Sequence, residues 1–232
     1  MPFSVAPVTA PPPQRPDVVL FDVFETLVQL EPLRQRLADV GRPGHELELV
    51  FTRLLRDGMA LTLAGDAPPF ADVARAALRT VSGNSLDGAA LDHVVSGFRE
   101  LPAQPDAAPA IAALVDAGVP AWAFTHGSAE VAGAALERAG LLEPLRGVLS
   151  AAELRSFKPP PRVYTWACEQ VGATPARAAL VAVHSWDTHG AGRAGLLTGY
   201  CSRLDGELPA VFDEPTVQAP TLDGVVRALL EL

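Results

Sequence analysis

The stretch DVVLFDVFETL, residues 17–27, opens with Val18, Val19, Leu20 and Phe21 and stops at the carboxylate of Asp22. Four apolar, β-rich residues without polar alternation read as a strand buried on both faces, the signature of a parallel sheet. Before it, residues 1–16 are rich in Pro and Ala and lack a basic stretch followed by an apolar run, so they read as a loose tail and not as a signal peptide. After it, residues 30–99 turn helical, with Gly and Pro breaks at 41–44, 65–69 and 83–84. That pattern predicts about four helices and no strand.

Beyond Pro102 helix and strand alternate. Helices are expected at 107–117, 128–139, 161–171, 186–194 and 222–232, and strands at 120–125, 178–183 and 198–201. Such alternation implies an α/β fold, a parallel sheet covered on both faces. Active sites in these sheets gather beyond the carboxyl ends of the strands. Asp22, Thr125 and the residues after Val183 all fall there. The organisation expected is a tail at 1–16, a core domain of 17–29 and 101–232, and a helical insertion at 30–100.

Composition narrows the function classes. Hydrophobic residues make up 49% of the chain and charged residues 19%, enough for a packed core. A formal net charge of -9 argues against nucleic acid or an anionic membrane as partner. No apolar run reaches the roughly 18 residues of a membrane span. Cys168 and Cys201 show no metal-ligand spacing and fit free, buried thiols in a reducing compartment, the cytoplasm.

Three further segments carry chemistry. AWAFTHGS, residues 121–128, is a strand ending in Thr125, followed by His126, Gly127 and Ser128 at a helix mouth. Unpaired backbone N–H groups at such a start can meet a substrate oxygen, although an ordinary turn capped by Ser128 has the same sequence. Lys158 precedes a proline-rich helix start, and Tyr164 follows six residues later. Trp186 and Asp187 open WDTHGA after the strand at 178–183.

With D-x-F-x-T-L at Asp22, these segments resemble, in order and spacing, the four motifs of the haloacid dehalogenase superfamily. The resemblance implies a Rossmann-like core with an inserted α-helical cap. It makes Asp22 the nucleophile, has Thr26 orient it, and places Thr125 and Lys158 beside the substrate. Phosphatases of the superfamily carry a second Asp two residues after the nucleophile and a further acidic pair for Mg²⁺. Phe24 and Val183 occupy such positions here, so no metal or other cofactor is expected. The sequence is more similar to the 2-haloacid dehalogenases, which have an aromatic residue, a Tyr and a Trp-Asp pair where this chain has Phe24, Tyr164 and Trp186 with Asp187.

What that resemblance implies is displacement at carbon. The Asp22 carboxylate attacks the halogen-bearing carbon of a small 2-haloalkanoic acid, and water then hydrolyses the aspartyl ester. Asp187 would position Lys158 and the water, and Phe24 with Trp186 would form an apolar pocket. A homodimer through the cap helices is also implied. The chain departs from the pattern in several places. His126 and His184 stand where Asn is usual, Ala182 replaces a Ser, and Glu25 replaces a Gly. The halide-receiving cap Arg falls at Thr52, which leaves Arg53 or Arg56 as candidates.

A neutral imidazole accepts a proton near neutral pH, so His184 is a candidate base for ester hydrolysis or a group that positions water. His126, Glu25 and, a helix turn farther on, His189 complete the group. Three readings follow: a metal-free 2-haloacid dehalogenase, a hydrolase on the same scaffold that uses His126 and His184 for another leaving group, and a catalytically idle binding protein. Retention of Asp22, Lys158 and Asp187 together favours an enzyme.

Overall fold

In the computed structural model, which describes residues 13–232, Val18–Phe21 is the central strand β1. The other strands are β2 (Ala121–Thr125), β3 (Val148–Ser150), β4 (Ala178–Ala182), β5 (Leu197–Cys201) and β6 (Val217–Ala219). All run parallel in the order β3-β2-β1-β4-β5-β6. The chain leaves β1 toward β2 on one side and reaches β4 on the other, so strand order reverses over β1. A crevice opens at such a switch point, beyond the carboxyl ends of the strands.

The unbroken apolar run of β1 is explained by its two covered faces. Val19 and Phe21 join one core cluster with Ile111, Leu136 and Val225, from α5 (Ala107–Asp116), α6 (Ala129–Arg138) and α9 (Leu222–Leu230). Val18 and Leu20 join the other with Val163 and Ala191, from α7 (Pro161–Gln170) and α8 (Ser185–Arg193). Ser128 accepts from the Val131 N–H at 3.1 Å, so it does cap α6.

The expected helical stretch is α1 (Leu33–Asp39), α2 (Glu46–Leu63), α3 (Phe70–Val81) and α4 (Gly88–Ser96). It shares a core with the first sheet face through Phe24, Leu54, Phe70 and Phe98. Its anchor near the site is Phe157. A Cβ on Gly58 of α2 would lie 2.4 Å from the Phe157 ring, so the helix rests directly on it. Thr62 Oγ accepts the Phe157 N–H at 2.9 Å.

Edge strands β3 and β6 were not expected from the sequence. Each has only three residues, too few to show a period. Within the expected tail, Arg15 donates to the Ala117 carbonyl at 2.5 Å and Gln14 accepts from Arg177 at 3.0 Å. The rest of the tail, 1–12, lies outside the described residues. Among the described residues both cysteines are free and buried, and no helix is long and apolar enough to cross a membrane.

Candidate active site

Beyond β1 the Asp22 N–H continues the ladder by donating to the Val181 carbonyl at 3.0 Å, and then the chain turns sharply. Leu27 and Val28 both donate to the Val23 carbonyl, at 2.8 and 3.1 Å. Glu25 pays for the turn with a φ of 65°, a left-handed conformation that costs a side-chain-bearing residue about 1–3 kcal/mol. The strained peptide is held from outside. Gln104 and Arg203 donate to the Glu25 carbonyl at 3.0 and 2.8 Å, and Arg203 also donates to that of Thr26 at 3.0 Å. Arg203 is itself fixed by Asp106 at 2.6 Å.

The turn brings Thr26 Oγ to 2.9 Å from Asp22 Oδ2. Because the Val183 N–H donates to the same Thr26 oxygen at 3.2 Å, the hydroxyl proton is directed at the carboxylate. Asp22 Oδ1 accepts from Lys158 Nζ at 3.1 Å. Lys158 is fully buried and also donates to Asp187 Oδ2 at 2.8 Å, while Tyr164 Oη donates to Asp187 Oδ1 at 2.6 Å. With both oxygens accepting, Asp187 is a carboxylate.

Burial alone would pull a proton off Lys158. Asp187 and Asp22 outweigh it and raise the ammonium pKa. Burial likewise pushes Asp22 toward its acid form, but the Lys158 charge and the His184 hydrogen bond hold it well below the usual carboxylate range. Asp187 is lifted by burial and by the Asp22 charge, against the pull of Lys158.

His184, at the mouth of α8, has Nδ1 3.1 Å from Asp22 Oδ2 and Nε2 2.9 Å from Glu25 Oε2. A ring nitrogen facing a carboxylate on each side donates on both only as imidazolium. Burial opposes that charge, yet the hydrogen bonds to Asp22 and Glu25 raise the pKa to about 10. The expectation of a neutral base is therefore corrected for the free protein: two anions hold the proton on His184.

His126 is the opposite case. Its Nδ1 accepts the Lys158 backbone N–H at 3.1 Å, so the ring proton sits on Nε2. That nitrogen is buried and has no partner among the described residues. Burial and the Lys158 charge drop the His126 pKa to about 3, so the ring stays neutral. His184, Trp186, His126 and Phe157 form a continuous ring stack, with centroids 5.1, 5.3 and 5.3 Å apart.

A cleft of about 870 Å³ opens above this cluster. His184, Glu25 and Trp186 form its floor, and Leu47, Phe51 and Leu55 of α2 form one wall. Asp22, only 3% exposed, lies one hydrogen bond beneath the floor.

Asp22, Thr26, Lys158, Asp187 and His184 thus converge as expected, and Trp186 does line the cleft. Other expectations need correction. Phe24 packs on Phe70 and Phe98, at 5.5 and 5.2 Å between centroids, and forms no part of the cleft wall. Tyr164 is fully buried, donates to Asp187 at 2.6 Å and does not line the cleft. Thr125 accepts the Gly127 N–H at 3.0 Å and is fully buried. Arg53 is not among the residues that line the cleft, which include Thr52 and Arg56, and its Nε is buried without a partner among the described residues. His189 accepts from the Asp213 N–H at 3.1 Å, outside the site. Arg203, Gln104 and Asp106 were not foreseen. A lone polar residue in a loop carries no mark of a partner more than 75 residues away.

The site tolerates little added volume. A Cβ on Gly190 of α8 would lie 2.6 Å from Pro159 Cβ and 2.8 Å from Tyr164 Oη. Gly190→Ala should cost about 1–3 kcal/mol through overpacking, despite the better helix propensity of Ala. A urea midpoint equal to that of the wild type would refute this packing.

Fold and buried carboxylate–lysine cluster define a Rossmann-like α/β core with a helical layer over the carboxyl ends of its strands. The family model of the haloacid dehalogenase-like hydrolases matches residues 16–195, and the chain belongs to that family. The (S)-2-haloacid dehalogenase 4A of Burkholderia cepacia is 32% identical over 185 residues, 77% of this chain and 80% of the relative. The (S)-2-haloacid dehalogenase 1 of Pseudomonas sp. (strain CBS-3) is 29% identical over 218 residues, 92% of this chain and 96% of the relative. A solved dehalogenase in an intermediate complex superimposes with a TM-score of 0.83 at 28% identity, covering 91% of this chain and 96% of that one.

Proposed function

We propose that this chain is a cytoplasmic, metal-independent 2-haloacid dehalogenase, with residues 17–29 and 101–232 as its core and 30–100 as its cap. The observation that carries the reading is Asp22: an ionised carboxylate, nearly excluded from water, held by Thr26, Lys158 and His184 beneath a cleft. The names of the relatives agree with it. Exposed Leu49 and Leu63 on α2 offer a contact for the homodimer that the family relation suggests.

Asp22 Oδ2 takes two donors and Oδ1 only one, so Oδ1 keeps a lone pair for attack. It forms a bond to C2 of the acid, the carbon–halogen bond breaks, and halide leaves with the electron pair. Oδ2 becomes the ester carbonyl oxygen. Thr26 and His184 already donate to it and stabilise the charge that develops there when water attacks Cγ. The unpartnered His126 Nε2–H serves the substrate carboxylate.

Ester formation removes one of the two anions that hold the His184 proton. The imidazolium, now paired with Glu25 alone, releases that proton to solvent through the cleft. The neutral ring then accepts one proton from the attacking water; the bond from Cγ to the former Oδ1 breaks, the water's second proton passes to that oxygen as the 2-hydroxy acid departs, and the Asp22–imidazolium pair is restored. Lys158 and Asp187 hold the nucleophile throughout, with Tyr164 positioning Asp187.

Halide release from both enantiomers of 2-chloropropionate, in EDTA, tests the reading directly. His184→Ala should accumulate the Asp22 ester, seen as a mass increase of the intact chain, while its turnover falls on the order of 10²-fold. Unchanged turnover would remove His184 from the mechanism. The pH dependence has a definite sign. His184 holds its proton to about pH 10 in the folded chain and to roughly 6.5 in the unfolded one. Its stabilisation is complete below about pH 6.5 and is lost as pH rises through about 10. His184→Ala should lack that alkaline fall in urea midpoint.

A further inference from the structure

The cleft of about 870 Å³ is in the range that holds drug-sized ligands, ~300–1,000 Å³, and is several times what a three-carbon acid fills. Its α2 wall presents Leu47, Phe51, Leu55 and Met59, spaced by four residues along one helix face. At about 1.5 Å per residue that stripe runs for roughly 18 Å. It ends near the catalytic floor, because Gly58 and Thr62 of the same helix seat on Phe157, the residue before Lys158.

The cleft's cations are already engaged. Arg34 pairs with Glu31 and Glu48, Arg203 with Asp106, and Arg56 with Asp57. Thr52 lines the cleft where the family resemblance would put a halide-receiving arginine. At the floor, Asp22, Asp187 and Glu25 face only Lys158 and the imidazolium of His184. The field that would draw in a compact anion is weak, and the apolar surface left to supply binding energy is that of half-buried Leu55 and Met59, extended by the edges of the nearly buried Leu47 and Phe51.

We propose that the preferred substrate is a 2-halogenated acid with an extended apolar chain of about six or more carbons, laid along Leu47, Phe51, Leu55 and Met59 with C2 toward Trp186 and His184. The chemistry rests on the dehalogenase reading, whereas the chain-length preference rests on the cleft. Burial of a methylene in a partly open groove gives about two- to fourfold in affinity.

Calorimetric binding of 2-hydroxyalkanoates from three to ten carbons tests the cleft without requiring turnover, and bromide release from the matching 2-bromoalkanoates is measured in parallel. Affinity should rise at least about 30-fold between the three- and eight-carbon acids, and Leu55→Asp should flatten that slope. Thr52→Leu, a change at an exposed position, should steepen it. A flat or falling affinity series overturns the long-chain assignment, even if 2-bromopropionate is turned over. A rising series without bromide release keeps the cleft assignment and instead sinks the dehalogenase reading.

Discussion

Asp22→Asn is expected to abolish halide release, with kcat/KM falling on the order of 10⁴-fold or more, while the fold persists. The change is isosteric and removes the negative charge that attacks carbon, and an amide is a far poorer nucleophile than a carboxylate. The amide oxygen keeps one of these donors, Thr26 at 2.9 Å or Lys158 at 3.1 Å, and the amide NH2 loses the other. A companion experiment identifies the atom. In a single turnover in ¹⁸O-water, with enzyme in excess, the label should enter Asp22 and not the 2-hydroxy acid, because water attacks Cγ and the product keeps the former Oδ1. Label appearing first in the product would mean direct attack of water on carbon, and Asp22 would lose its role as nucleophile.

Lys158→Met should produce the largest loss of stability, about 3–5 kcal/mol at neutral pH, together with loss of turnover on the order of 10³-fold. The ammonium is fully buried between two carboxylates, 3.1 Å from Asp22 and 2.8 Å from Asp187. Without it, Asp187 keeps only the Tyr164 hydroxyl and Asp22 only His184 and Thr26, and the two buried anions face each other with no cation between them. The pH dependence separates this from a packing defect. In the wild type the depressed pKa of Asp22 gives stability that is present above the unfolded value near 3.9 and lost as pH falls below it. In Lys158→Met the sign reverses: protonation of a carboxylate relieves the repulsion, so urea midpoints of variant and wild type should converge from pH 8 to pH 5. A deficit independent of pH would assign Lys158 a packing role. Lys158→Arg should not restore turnover, since the larger guanidinium has to fit a fully enclosed site packed around a compact ammonium between Asp22 and Asp187.

The sequence by itself determined the sheet's central strand, the alternation of strand and helix, and the strand ends where chemistry gathers. Those are local properties. A run such as Val18–Phe21 or the breaks around each helix are written in contiguous residues, because burial of a short segment and capping of its ends are decided within a few positions. Asp22, Thr26, His184 and Asp187 were legible close behind expected strand ends, and Lys158 through the order and spacing of the motifs in the family resemblance. The three-residue edge strands were not, because pairing with β2 and β5 creates them and no period is long enough to announce them.

Tertiary structure alone decided the charge states and the directions of side chains. Whether His184 is a base or a cation depends on two carboxylates, at 3.1 and 2.9 Å, that lie 162 and 159 residues earlier in the chain. Whether Phe24 and Tyr164 line the cleft depends on which way each faces: Phe24 turns into the aromatic core and Tyr164 toward Asp187. A one-residue offset on α2 rotates a side chain by about 100°, which is why Thr52 and not Arg53 meets the cleft. Field and direction are sums over everything packed around a group, and only the folded chain performs that sum.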